Sequence, residues 1–305
     1  MKKVFPVAAI LGAGICWGCI SLFTHNLNAM GFTVIQMSAM RQLIAAVLFA
    51  IVILITGPKQ FKIRLKDIWI FICSGIISVS LFGVCYFYTI EQSQASVAVV
   101  LLYTSPIFVM IISAILFKEK ITPMKIVALV LTFAGCVCAS GFLGSSYRLS
   151  FNVLLAGLAS GLFYGLYTIF CNFGLRRYSS LTVTFYTFLF GVIGTFPLSR
   201  PASLFKGIAA QPGSMLFFVG LGIVNTFLPY LLYTWGLKYV EGSKAAILVA
   251  VEVLAAALIG MIVWKEPHNA VKIIGIALIL LSIILLNLNT GSKGSGKLDG
   301  KTDTV

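Results

Sequence analysis

Glu252 stands in the middle of the apolar stretch EGSKAAILVAVEVLAAALIGMIVWKEP, which runs from Glu241 to Pro267. If that stretch crosses a bilayer, a charge at such depth costs about 2.5 to 3.5 kcal/mol on insertion scales, so the carboxylate needs a partner or a task. It can bind a cation, or it can take up and release a proton. Arg41 is the second charge inside an apolar run, eight residues after Thr33 and so about 12 Å along a helix. Its guanidinium either snorkels to head groups or lines a water-filled vestibule that attracts an anionic group. Gln36, about one turn away, shares whichever environment Arg41 has.

The remaining polar-tipped side chains at mid-helix depth come in pairs. A shift of 147 residues carries Gly14, Trp17 and Gly18 onto Gly161, Tyr164 and Gly165, and it carries Gly75, Ser78, Phe82 and Tyr86 onto Gly222, Asn225, Pro229 and Tyr233. The second set is spaced by three, four and four residues, which puts each group on one helix face. Faces that mix small, polar and aromatic residues suit a wet cavity or close helix packing rather than lipid. Asn225 beside Pro229 is the sharper of these, since proline frees a carbonyl that must find a partner or line a cavity. The same shift carries Ser96, Ala98, Leu101, Lys118 and Glu119 onto identical residues at Ser243, Ala245, Leu248, Lys265 and Glu266, and it pairs Ser105 with Glu252. Tyr103 precedes Ser105-Pro106 in this region. The chain contains itself twice.

The elements that position these residues follow from composition. Apolar residues make up 60% of the 305 positions, charged residues 10%, and the mean hydropathy is +1.05. Soluble domains carry about a quarter charged residues, so an all-α integral membrane protein is expected. Ten segments are long enough to span the hydrocarbon as helices: 4–23, 33–55, 68–89, 95–117, 122–142, 151–171, 181–198, 214–237, 245–264 and 270–288. They leave no room for a soluble domain. The net charge of +14 is a matter of sidedness rather than of nucleic acid: with the N-terminus inside, sixteen Lys and Arg fall in cytoplasmic segments and five outside. Both termini are expected in the cytoplasm, in a multi-pass protein of the plasma membrane, in bacteria the inner one. The apolar run after Met-Lys-Lys is longer than a secretory h-region and lacks a small-x-small cleavage site, so it reads as a retained first helix.

A five-helix unit crosses the membrane an odd number of times, so its second copy is expected upside down. The chain then divides into repeats 4–143 and 151–289 and a Gly/Ser/Lys-rich tail, 290–305, expected to be disordered. Inverted repeats place a substrate site near the midplane and allow alternating access. Helices five and ten, rich in Ile and Leu, read as scaffold or as a homodimer surface.

Other chemistries find little support. The seven cysteines lie mostly within spans, Cys16 and Cys19 on one helix, and no His or carboxylate cluster completes a metal site, so neither metal nor cofactor is expected. His25 and His268 are expected in outer loops, away from any nucleophile, which argues against an intramembrane enzyme. No G-x-x-x-x-G-K-[ST] loop is present, so ATP is not the driver.

Cys16-Trp17-Gly18, Met40 to Leu43 (MRQL), Ser105-Pro106 ahead of Phe117 to Lys120 (FKEK), and Lys265-Glu266 together resemble the EamA-type family of the drug/metabolite transporter superfamily, from Val4 to Leu288. The resemblance implies ten helices in two inverted five-helix repeats and export or exchange of small metabolites such as amino acids. Members often show Glu-Pro in the second half; Glu252-Val253 stands here, so a proline-dependent hinge in helix nine is not expected. The function expected is a secondary transporter for a small polar or amphipathic metabolite of amino acid or amine type, with a coupling proton or counter-substrate. The rival readings are a channel-like facilitator, an intramembrane enzyme or a sensor. The substrate cavity is expected from Trp17, Ser78, Tyr86, Tyr103, Tyr164, Asn225, Tyr233 and Glu252, with Gln36 and Arg41 in a vestibule. The Lys-Glu pairs at Lys118-Glu119 and Lys265-Glu266 read as structural.

Overall fold

A computed structural model describes residues 4–144, 150–265 and 270–288. The tail 290–305, and with it Lys2, Lys3, Arg148, Glu266 and His268, lies outside the described residues. Among those described, the chain is helical with no strand. Eight helices are long and apolar enough to cross a membrane: α1 (Val4–Ala29), α2 (Val34–Thr56), α3 (Leu65–Gln92), α4 (Ala95–Phe117), α6 (Phe151–Leu175), α8 (Ser214–Gly236), α9 (Gly242–Ile262) and α10 (Ala270–Asn287). Two shorter apolar helices complete the set, α5 (Pro123–Ala139) and α7 (Ser180–Thr195).

The shorter pair departs from the full spans expected at 122–142 and 181–198, and local chemistry says why. The Thr122 hydroxyl accepts from the Lys125 amide and starts α5 with proline in its first turn. Ser179 caps α7 in the same way, and Pro197, which has no amide to continue the helical ladder, follows its end. The first helix departs in the other direction. After an interruption at Cys19–Ile20 it continues past Phe23 to Ala29, with the Thr24 hydroxyl and Asn26 amide bonded to carbonyls four residues back. His25 is therefore helical rather than in a loop, its ring 4.2 Å from that of Trp264.

Irregularities recur at the same shift as the residues. α3 carries a wide-turn π segment over Cys73–Leu81 and α8 one over Ile223–Phe227. α4 breaks at Tyr103–Thr104 and α9 at Val249–Ala250. Pro106 opens the second half of α4 without needing an amide partner, but no proline stands at the break in α9. Packing holds that break instead: Gly14 of α1 lies so close that an added Cβ would fall 2.9 Å from the Val249 carbonyl oxygen. Lys118 and Lys265, the repeat-related lysines, both adopt left-handed backbone, Lys118 as the C-cap of α4 and Lys265 three residues past the end of α9.

The helices exchange neighbours between the two units. α1 packs on α8 and α9, and α6 packs on α3 and α4, while α2 lies against α7 and α5 against α10. The C-terminal end of α4 meets the N-terminal end of α9, and Thr132 of α5 bonds Ser282 of α10 at 2.7 Å while Gly135 approaches Gly275, so repeat-related helices run antiparallel where they touch. Glycine makes the tightest crossings possible. A Cβ on Gly161 would stand 2.5 Å from the Thr104 hydroxyl oxygen and 2.8 Å from the Leu101 carbonyl oxygen, whereas one on Gly213 would meet nothing within 4 Å. Gly161→Ala should cost about 1 to 3 kcal/mol as overpacking and lower the melting temperature in detergent, with Gly213→Ala unchanged.

Candidate functional site

The breaks in α4 and α9 and the wide turn in α3 converge on one chamber, which α8 lines with residues that follow its own wide turn. Discontinuous helices at equivalent places in two repeats free carbonyls and make room, which is where transporter folds bind their cargo. The chamber is narrow, lined by Trp17, Ser78, Ser105, Tyr164, Tyr167, Thr168, Tyr230, Tyr233, Ala246 and Val249.

Aromatic rings form most of its wall. Trp17 of α1 meets Tyr230 edge-on at 5.0 Å and Tyr233 at 5.5 Å, and Tyr167 of α6 meets Tyr230 at 5.0 Å. Edge-to-face rings of this kind hold one another in place, and their faces suit an apolar group or a cation. The hydroxyls are tied off in pairs: Thr168 with Tyr233 at 2.7 Å, and Tyr167 with Thr234 at 2.7 Å. Ser78, on the wide turn of α3, keeps a buried hydroxyl with no hydrogen-bond partner among the described residues.

Glu252 stands beside this wall at the start of the second half of α9. Its Oε2 accepts from the Tyr164 hydroxyl at 3.3 Å. The buried Tyr103 hydroxyl faces the same carboxylate. Arg41, half-buried on α2, is the cation whose field reaches Glu252, and its guanidinium approaches the Tyr230 hydroxyl. A carboxylate and a guanidinium thus stand beside the aromatic wall of the chamber.

Of the ten residues singled out from the sequence, Trp17, Ser78, Tyr164 and Tyr233 line the pocket, and Glu252, Tyr103 and Arg41 adjoin it. Tyr86 stacks on Phe82 at 5.7 Å, further toward the wall of α3, within the field of Glu252. Asn225 lies apart: fully buried, it donates from Nδ2 to the Cys16 carbonyl and so braces α1 where that helix is about to break. Gln36 is also elsewhere. Its side chain accepts from the Thr33 amide at 3.0 Å while the Thr33 hydroxyl accepts from the Gln36 amide at 3.3 Å, a capping box that starts α2.

Tyr167, Thr168 and Tyr230 join the wall although the sequence reading does not name them. Their spacing carries the signal, since Tyr164-x-x-Tyr167 and Tyr230-x-x-Tyr233 each put two rings on one helix face. Comparison of the two repeats passes over them, because the equivalents of Tyr167 and Tyr230 are Ile20 and Gly83.

A family profile described as the EamA-like transporter family matches the chain twice, over residues 4–141 and 151–288. An uncharacterized transporter of Archaeoglobus fulgidus is 30% identical over 254 residues, covering 83% of this chain and 88% of its own. An uncharacterized inner membrane transporter of Salmonella typhimurium, YicL, is 25% identical over 289 residues, covering 92% and 94%. A solved crystal structure superposes with a TM-score of 0.77 at 18% identity, over 93% of this chain and 96% of its own, and shares the fold.

Proposed function

This chain belongs to the EamA-like transporter family, a multi-pass membrane transporter of the drug/metabolite superfamily, and from that premise we propose that it moves a small amphipathic metabolite of amino acid or amine type by alternating access. The observation that carries this reading is the chamber itself: Glu252 and Arg41 of opposite charge about an aromatic wall, at the point where repeat-related helices break. An ammonium group fits Glu252, a carboxylate fits Arg41, and an apolar side chain fits the rings of Trp17, Tyr164 and Tyr230.

The carboxylate also supports a coupling scheme. Glu252 can hold a substrate ammonium or a proton but not both, so entry of a proton displaces substrate and the cycle runs as exchange or proton-driven export. The topology in this proposal has ten crossings in two inverted repeats with both termini cytoplasmic, supported by antiparallel packing of α4 on α9 and by the sixteen-to-five distribution of basic residues. The membrane in this proposal is the plasma membrane.

A thermal-shift screen of purified protein against amino acids, amines, nucleosides and sugars tests the ligand class. A ligand that binds the folded state raises the melting temperature in proportion to the logarithm of its concentration over its Kd. Apolar and aromatic amino acids should give a rise that grows with the logarithm of concentration above Kd; a response confined to sugars or nucleosides would contradict the reading.

A further inference from the structure

The two repeats supply related residues to both ends of the chamber, yet the described residues pack differently at the two ends. At the end where α4 finishes and α9 begins, three layers of bonds close the chamber, the first joining α6 to α8 within the second unit and the next two running between the units. Nearest the pocket is the bond of Thr168 to Tyr233 at 2.7 Å, with Tyr167 to Thr234 beside it. Beyond it, Glu119 caps the first turn of α9, its carboxylate accepting from the Gly242 amide at 2.8 Å, from the Ser243 amide at 3.1 Å, and from the Ser243 hydroxyl. Outermost, the Lys125 Nζ bonds Glu241 at 2.6 Å and Ser243 at 2.8 Å. Gly242 and Ser243 are buried as a result.

The repeat-related residues at the other end are Ser21 for Thr168, Tyr86 for Tyr233, and Ala95-Ser96 for Gly242-Ser243. Ser21 is not bonded to Tyr86. It accepts instead from the Trp264 indole at 3.3 Å, and Tyr86 stacks within its own helix on Phe82. Ala95 is exposed and Ser96 half-buried where their counterparts are buried. The backbone agrees: Ser105–Phe117 packs on Gly242–Leu248, while Ala95–Leu102 and Val251–Ile262 touch at most marginally. Among the described residues, the first end is packed more tightly than its twin.

We propose that Ser21 and Tyr86 are the second gate of this protein: in the alternate state they form the hydrogen bond that Thr168 and Tyr233 make here, Ala95–Leu102 is buried against α9, and the Glu119 cap on Gly242 and Ser243 is released. This rests on the alternating-access reading above. Repeat-related pairs of matching type lower the net cost of such an exchange, because the bond released between Thr168 and Tyr233 is replaced by its equivalent between Ser21 and Tyr86.

Hydrogen–deuterium exchange on the full-length protein in nanodiscs tests it, comparing wild type with Glu119→Gln. Weakening the charge-assisted cap should speed exchange in Gly242–Leu248 about tenfold or more, the weight of one hydrogen bond to a charged group. The gate assignment adds a reciprocal effect: exchange in Ala95–Leu102 slows, and Tyr86→Phe placed on Glu119→Gln restores it. Faster exchange at Gly242–Leu248 with Ala95–Leu102 unmoved would mean a local helix cap and overturn the proposal. As a second measurement, Ser21→Cys with Tyr86→Cys, in a background whose seven native cysteines are replaced, should cross-link with a short bifunctional thiol reagent and block flux. Saturable flux without any cross-link would sink the gate while sparing the transporter; a cross-link in a protein that carries no substrate would do the reverse.

Discussion

Glu252→Gln is expected to yield a folded, pocket-bearing protein that has lost at least about 10-fold in apparent affinity for ammonium-bearing substrates and no longer couples their movement to protons. Glutamine keeps the shape and can still accept from the Tyr164 hydroxyl, which now meets the carboxylate at 3.3 Å. What disappears is the charge, and a hydrogen bond to a charged group is worth about 1.5 to 3 kcal/mol, or 10- to 100-fold in binding. Stability should move the other way. A charge at mid-membrane depth costs about 2.5 to 3.5 kcal/mol on insertion scales, so the neutral variant melts at or above the wild-type temperature. If Glu252 served only to tie α9 to α6 through Tyr164, the variant would be less stable and its substrate affinity unaltered. Ligand titration by thermal shift, with and without a pH gradient in vesicles, separates the two.

Arg41→Gln should divide substrates by their chemistry. Arg41 approaches the chamber from α2 beside Tyr230, across from Glu252. Removing the guanidinium takes away the group in the chamber best suited to a substrate carboxylate, so amino acids should bind about 10- to 30-fold more weakly. Amines of the same side chain, which present no carboxylate, should keep their affinity or gain. The measurement is a pair of titrations, an amino acid and its decarboxylated amine, on both proteins. Equal losses for the two would place Arg41 in support of the fold and outside substrate recognition.

Much of the architecture is legible from residue spacing because a duplication repeats it. The shift of 147 residues predicts which helices correspond, and the structure returns it in backbone detail: wide turns at Cys73–Leu81 and Ile223–Phe227, breaks near residues 103 and 250, left-handed lysines at 118 and 265. The break in α9 shows what residue type alone hides. No proline marks it, and it is held by the close approach of Gly14 from another helix, a tertiary cause invisible to local reading. The site is legible in the same proportion. Intramembrane charge points to Glu252 and Arg41, and duplication points to Trp17, Ser78, Tyr164 and Tyr233. Duplication passes over Tyr167 and Tyr230, where the repeats differ, and it promotes Asn225, whose amide is spent on the Cys16 carbonyl. Gln36 shows the same limit: a polar residue near an apolar run invites a chemical reading, while a threonine three residues earlier claims it as a cap. The state of the molecule is not legible at all, since both gates are written in the sequence and only packing shows which end is held more tightly.

The central claim, a saturable site that faces each side in turn, is most directly tested by counterflow in proteoliposomes. Vesicles holding purified protein are loaded with an unlabelled amino acid that raises its melting temperature, then diluted into a trace of the same compound in labelled form. Alternating access through the Trp17–Tyr233 chamber predicts a transient accumulation of label above equilibrium, faster with substrate inside than without, and saturating with external concentration. Label that only equilibrates, at a rate linear in concentration and indifferent to internal substrate, would contradict alternating access and describe a channel.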